Sequence, residues 1–308
     1  MKQTLKKILF GIIDVILIPV NLIFLPLLGF IRKYGVQYFP LSRKLFLKMG
    51  VFPIRDHYYE PQLTYSENFD ASRERPLHLN FNIPEQLSAL EGFEKYRNEL
   101  TELKVHDPSF GAGDAELYYL MIREKKPRRI IEIGSGFSTL LARKAIKKNN
   151  AEGFTTELTC VEPYEKKWLD EIRDIQLIRR PVEQIPVGFF QSLEENDILF
   201  IDSSHIIRPE NDVLFEYLEL LPSLQKGVLI HVHDIFSPRH YRQDWLTELY
   251  RFWNEQYLLE AFLYYNDVFA IRYSLNCLKN DHFDDLKAIC IHLRSFDEPS
   301  SFWLQKVK

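Results

Sequence analysis

Four places along this 308-residue chain set glycines or ionisable side chains directly behind short, apolar, β-prone runs. Arg129 to Ile133 leads into Gly134-Ser135-Gly136-Phe137-Ser138-Thr139, with Glu132 inside the motif, and Glu157 to Val161 ends on Glu162-Pro163. Asp197 to Ile201 ends on Asp202-Ser203-Ser204-His205, and Gly227 to His233 ends on His233-Asp234. Gly134 and Gly136 permit a tight strand-to-helix turn and a close backbone approach by a ligand, although a turn needing positive φ reads the same way without one. Glu162 stands where a ribose diol is held in dinucleotide folds, but the third glycine of that fingerprint is replaced by Ser138 or Thr139. An acid beside the loop disfavours a pyrophosphate and tolerates a cationic ligand that has a ribose and no phosphate. His205, just past a strand end, is the candidate general base, because imidazole titrates near working pH. A loop or helix-capping histidine without chemistry is its alternative. His231 and His233 lie two apart and so on one face of a strand, where His231 reads as a satisfied core histidine.

The elements that must position these residues alternate between β-rich and helix-like runs. The pattern predicts helices at Asp114 to Lys125, Ser138 to Lys148, around Glu165 to Ile172, at Glu210 to Leu221 and at Arg242 to Glu255. It predicts strands at Arg129 to Ile133, Glu157 to Val161, Ile175 to Arg179, Asp197 to Ile201 and Gly227 to His233, with two more near Leu258 to Tyr265 and Val268 to Tyr273. Such alternation is an α/β, doubly wound, Rossmann-like sheet of seven strands. The last two strands are joined by Asn266-Asp267, too short for a parallel crossover, so the sheet is expected to end in an antiparallel hairpin. In an open sheet of this kind ligands bind beyond the carboxyl ends of the strands, which would bring Glu132, Glu162, Asp202 and Asp234 to one crevice.

At these residues the chain resembles the class I S-adenosylmethionine-dependent methyltransferases, in the branch with an I-D-x-x-H motif. The resemblance is carried by IIEIGSGFST at Ile130 to Thr139, CVEP at Cys160 to Pro163, ILFIDSSH at Ile198 to His205 and GVLIHVHDIF at Gly227 to Phe236. It implies S-adenosylmethionine as cofactor, with Glu132, Gly134, Ser135, Gly136, Ser138, Thr139, Glu162 and Asp202 in its site. Gly134 to Gly136 would line the methionine and ribose, Glu162 would hold the ribose hydroxyls, and Asp202 would lie near the reacting methyl. The stretch Gly111 to Arg129 looks like the helix that such enzymes lay over the cofactor. Ser138 departs from members that keep a third glycine, which leaves the loop path open. Some relatives hold magnesium on carboxylates at these strand ends, so a divalent metal at Asp202, His233 and Asp234 is one reading. Histidine in such a set favours a softer ion. Metal-free catalysis with His205 as base and Asp202 beside it is the other reading.

The rest of the chain bounds the context. With 46% hydrophobic residues, 27% charged and three cysteines, neither disorder nor a disulfide scaffold is expected. The net charge of −4 is divided unevenly: residues 1–48 hold eight Lys/Arg against Asp14 alone, a net +7, so the other 260 carry −11. Ile8 to Ile31 is an apolar run with one charge, long enough to cross a bilayer, and no small-x-small cleavage site follows it. Pro19, Asn21 and Pro26 would break it into halves suited to a re-entrant hairpin, while a single span is the other geometry. In either geometry the body is expected in the cytosol, because the Lys/Arg-rich junction at Arg32 to Lys48 outweighs the three lysines before the run. Tyr34 to Pro61 interleaves aromatic and basic residues as a headgroup-layer stretch does, and the apolar run explains those charges better than nucleic acid. The expected organisation is therefore a membrane-associated head at 1–61 and a linker and cap at 62–110. An S-adenosylmethionine-binding domain at 111–275 and a C-terminal helix and docking tail at 276–308 follow. The function expected is O-methylation of a small-molecule, glycan or lipid-linked acceptor at the cytosolic membrane face. A nicotinamide-dependent oxidoreductase would need Tyr-x-x-x-Lys, which none of the sixteen tyrosines provides. A non-catalytic binding protein on the same fold is the other alternative.

Overall fold

Parallel strands buried on both faces need near-continuous apolar sequence, and the five runs around the candidate motifs supply it. In the computed structural model, which describes residues 2–105, 107, 109–164 and 167–308, they are β1 (Arg129–Ile133), β2 (Glu157–Val161), β3 (Gln176–Ile178), β4 (Ile198–Ile201) and β5 (Leu229–Val232). With β6 (Phe269–Ser274) and β7 (Phe302–Lys306) they form one seven-stranded sheet in the order β3-β2-β1-β4-β5-β7-β6. β1 to β5 pair in parallel, whereas β7 runs antiparallel to both β5 and β6.

The period of two divides each strand between two cores. Ile130, Leu158, Cys160, Ile198, Phe200, Leu229 and Trp303 face a cluster built with the helices α4 (Asp114–Lys125) and α5 (Phe137–Ala151). Ile131, Ile133, Val161, Leu199, Ile201, Ile230 and Val232 face the other cluster, with Phe190, Tyr217 and Leu259. Ahead of α4 in this unit lies the short helix Ile83–Glu91.

Two expectations about the sheet's end are corrected. The segment expected as a strand near Leu258 to Tyr265 is the helix Glu255–Leu263, because its buried residues, Glu255, Gln256, Leu259, Glu260 and Leu263, recur at helical spacing. The antiparallel pair is therefore no hairpin: the C-terminal tail supplies β7, which inserts between β5 and β6. The expected helix at Arg242 to Glu255 is confined to Gln243–Thr247, and residues 251–254 are irregular. Around Glu165 to Ile172 a 3₁₀ helix covers Lys167–Glu171, with Glu165 itself outside the described residues.

The chain divides into two compact units, Met1–Phe69 with Leu246–Tyr250, and Asp70–Trp245 with Arg251–Lys308. The first is led by α1 (Lys2–Tyr34) and α2 (Pro40–Met49). Contrary to the hairpin expectation, α1 is one helix through Pro19 and Pro26. Each proline removes a single backbone donor, and the Ile/Leu-rich turns on either side carry the helix past it. At its end Arg32 pairs with Glu60 at 2.6 Å and lies over the Phe52 ring at 5.2 Å. The stretch Leu5–Tyr34 contains an 18-residue window with a mean hydropathy of 2.6, and none of that window is buried within the chain.

Candidate functional site

The site follows from strand register. Ile133 pairs with Ile201 and Ile201 with Val232, so the residues after β1, β4 and β5 emerge side by side where the strand order reverses. The backbone continues the ladder past the strands: Asp202 N donates to Ile133 O at 2.9 Å, His233 N to Ile201 O at 2.9 Å, and Gly134 N to Val161 O at 3.0 Å. Gly134 has φ +79°, and a Cβ there would stand 1.9 Å from the Asp202 carbonyl oxygen. Glycine is thus required both by conformation and by space.

Gly134, Glu162 and Asp202 line a cavity of about 340 Å³, together with Tyr164, Val182 and Arg208. Glu162 is buried, and its carboxylate accepts from Ser135 N at 3.3 Å and from Tyr164 N at 2.9 Å, which ties the ends of β1 and β2 together. The other residues expected to touch a cofactor take a different place. Glu132 is fully buried behind the loop, where Tyr118 Oη donates to it at 2.9 Å and Thr139 Oγ1 at 2.6 Å. Thr139 Oγ1 also accepts from Gly136 N at 3.2 Å, so Glu132 and Thr139 brace the loop from below. Burial raises the Glu132 pKa to about 7, against the opposing hydrogen bonds from Thr139 and Tyr118. Ser135 and Ser138 are also buried, and neither they nor Gly136 are among the residues lining this cavity. The expectation that Glu132 faces the crevice is corrected: the period of two turns Glu132 onto the α4–α5 side.

Asp202, Ser203 and Ser204 also line a second, larger cavity of about 1140 Å³, which His205, His233 and Asp234 share. His205 and Asp234 both have left-handed backbone, at φ 61° and 56°, an uncommon conformation for residues other than glycine. His205 is buried, with Nδ1 2.8 Å from Glu255 Oε2 and Nε2 3.3 Å from Asp202 Oδ1 and 3.5 Å from Asp234 Oδ2. Burial alone would lower its pKa, but the surrounding Asp202, Glu255 and Asp234 hold it well above the usual 6.5. Asp202 is correspondingly held down at about 2, because His233 and His205 outweigh its burial. The arrangement therefore favours the protonated form of His205.

Asp202, His233 and Asp234 each offer a donor atom, all within 4.8 Å of one another. His233 Nε2 lies 3.1 Å from the Ser109 carbonyl, which leaves Nδ1 buried with no hydrogen-bond partner among the described residues. One imidazole and two carboxylates suit a borderline divalent ion better than magnesium, which prefers oxygen. The residues present fit such an ion. His231, by contrast, is a core residue: it bonds Ser301 Oγ at 2.8 Å, stacks on Phe200 at 4.2 Å, and burial with the neighbouring His233 pushes its pKa well down.

Three contributors carry no mark in the sequence. Glu255, fully buried, receives Tyr217 Oη at 3.0 Å and orients His205 from fifty residues away. Tyr217 lies in a π-helical turn, Glu216–Leu220, of the kind that recurs at functional sites, and Glu216 accepts from Ser203 Oγ at 3.0 Å. Trp253 packs its ring on His205 at 4.4 Å.

A family model described as a methyltransferase domain matches residues 131–235. An uncharacterized protein of Archaeoglobus fulgidus is 39% identical over 89 residues, which is 28% of this chain and 39% of that protein, so the match spans well under two thirds of that relative. Among solved structures, the O-methyltransferase TomG from Streptomyces achromogenes, involved in tomaymycin synthesis and in complex with SAM, is 15% identical with a TM-score of 0.38. The match covers 72% of this chain and 89% of that one. The O-methyltransferase from Bacillus cereus in complex with SAH is 15% identical with a TM-score of 0.36, covering 72% and 91%. At that level the likeness carries no functional argument. The family match spans the strands that carry the site, so residues 131–235 of this chain are similar to a methyltransferase domain.

Proposed function

We propose that the protein transfers a methyl group from S-adenosylmethionine to an oxygen of a glycan or lipid-linked acceptor at the cytosolic face of a membrane. The observation that carries this reading is the meeting of two cavities at Asp202: a small one floored by Gly134 and Glu162, and a large one walled by His205 and Asp234. A donor in the first would present its methyl across Asp202 to an acceptor in the second, which is the in-line arrangement a displacement at carbon needs. Glu162 would take the ribose hydroxyls, and Asp202 would face the sulfonium. His205, oriented by Glu255, would take the acceptor's hydroxyl proton through Nε2. It can do so only when positive charge beside Asp202 and Asp234 offsets the carboxylates that now keep it protonated, and the sulfonium is such a charge. A divalent ion held by Asp202, His233 and Asp234 would add Lewis-acid polarisation of the acceptor oxygen.

The membrane part of the reading rests on α1. At about 1.5 Å per residue, its apolar run from Ile8 to Ile31 spans roughly 36 Å, more than a hydrocarbon core of about 30 Å. Its side chains, Leu5, Leu22 and Ile23 among them, are exposed.

Titration of the detergent-solubilised full chain with S-adenosylmethionine is expected to saturate, and titration with NAD is not. Glu162→Lys should weaken the former by about tenfold or more with the circular dichroism spectrum kept. No binding by the unmutated protein would overturn the reading. His205→Gln should keep cofactor affinity and slow labelled-methyl transfer to a membrane-lipid extract by roughly 10²- to 10⁴-fold. An unchanged rate would remove His205 as the base.

A further inference from the structure

Three arginines, Arg242, Arg251 and Arg294, line the larger cavity. Two of them are neutralised within the chain. Arg242 pairs with Asp244 at 3.0 Å, and Arg294 with Asp297 at 2.9 Å. Arg251 forms no ion pair among the described residues, although several carboxylates line the same cavity.

What holds Arg251 is aromatic. Its guanidinium carbon lies 4.2 Å over the Trp245 ring and 4.5 Å over the Trp253 ring, and those indoles meet nearly at right angles, 79°, with centroids 5.1 Å apart. Its backbone N–H donates to the Trp245 carbonyl at 2.8 Å, which fixes where the side chain starts. Such a corner strips water from the faces of the cation and fixes its position without spending its charge. The edge of the guanidinium, the fork of N–H donors that matches a carboxylate or phosphate, is what it has left to offer. Trp253 carries this group to the chemistry, since its ring also packs on His205. Arg251 therefore stands one indole away from the candidate base, in the same cavity.

We infer that the acceptor carries an oxyanion, phosphate or carboxylate, near the hydroxyl to be methylated, and that Arg251 is the residue that receives it. The inference rests on the methyltransferase reading for its second half, the placement of the hydroxyl at His205. The anion site stands on its own geometry. An acceptor fixed at both ends would meet the donor in one orientation, so Arg251 would set specificity and would take no part in the displacement.

The test uses the full chain in detergent and reads tryptophan fluorescence, because Trp245 and Trp253 form the site. Inorganic phosphate, acetate, glucose 1-phosphate and a polyprenyl phosphate in micelles are titrated separately, at constant ionic strength. At least one of them is expected to saturate. The first two separate phosphate from carboxylate, and the last two separate a soluble from a lipid-linked source. Arg251→Gln should weaken that binding by roughly tenfold or more, the loss of one charge-assisted pair, whereas Arg251→Lys should keep part of it. S-adenosylmethionine affinity, titrated on the same samples, should be unchanged in both variants and reports that they are folded. Saturation that is indifferent to Arg251→Gln, or no saturation by any of the four probes, overturns the anion site. Failure to bind S-adenosylmethionine in the unmutated protein, with the anion response intact, overturns the methyltransferase reading alone.

Discussion

Glu132 illustrates how a residue can belong to a cofactor motif and still act without touching a ligand. Its carboxyl is buried beneath the Gly134 loop and braced by Tyr118 and Thr139, and its pKa is raised from 4.5 to about 7. A carboxyl whose pKa rises on folding keeps its proton longer in the native state, so its stabilisation is full below about 4.5 and is lost as the pH climbs to about 7. Wild-type stability, measured by urea unfolding at pH 5 and pH 8, should therefore fall relative to Glu132→Gln over that interval. A wild-type-to-variant difference that is the same at both pH values would contradict the assignment. The ionised groups nearer the chemistry behave oppositely. The pKa of Asp202 is lowered and that of His205 raised, against burial, by each other and by their neighbours. The charges of the centre are thus set by mutual contact, while that of Glu132 is set by burial.

Between β5 and β6 the sheet depends on a strand from the very end of the chain. Trp303 is fully buried on β7, and the same tail brings Ser300 Oγ to Asp234 Oδ1 at 3.0 Å and the backbone N–H groups of Ser300 and Ser301 to the buried Asp114. The tail therefore supports the site as well as the sheet. Trp303→Ala is expected to cost about 3–5 kcal/mol in chemical denaturation, the usual loss for a large core aromatic. A cost below about 1 kcal/mol would mean that β7 is not a structural member of the sheet. The misreading of Leu258 to Tyr265 has a related cause. A short apolar run cannot be assigned to helix or strand by composition, and the helix there is selected by which side chains the second core accepts. Glu255 begins that helix, and the same packing delivers its carboxyl to His205.

Across the whole chain, charge and apolar length separate a head from a body. The first 48 residues are net positive around the exposed α1, and the remainder is net negative, with acids at the strand ends that suit a cationic methyl donor. Deleting residues 1–31 should move the protein from the membrane fraction to the soluble fraction on ultracentrifugation. The basic and aromatic stretch Tyr34 to Pro61 would leave at most a salt-sensitive remainder. Retention of the deleted form in membranes at high salt would overturn the anchoring role of α1.

Reading residues in order was enough to locate β1 to β5 and the Gly134 turn, and to put Glu162, Asp202, His205 and the His233-Asp234 pair just past strand ends. Burial on both faces and the turn at a strand end are imposed by neighbours a few positions away, and those leave a pattern in the chain. The continuous path of α1 through its prolines, the withdrawal of Glu132 from the cavity, and the union of Glu255, Tyr217 and Arg251 with the site left no such pattern. Each depends on which distant surfaces meet when the chain closes. A contact between residues fifty positions apart is chosen by the packing of the finished core, and adjacent residues do not record it.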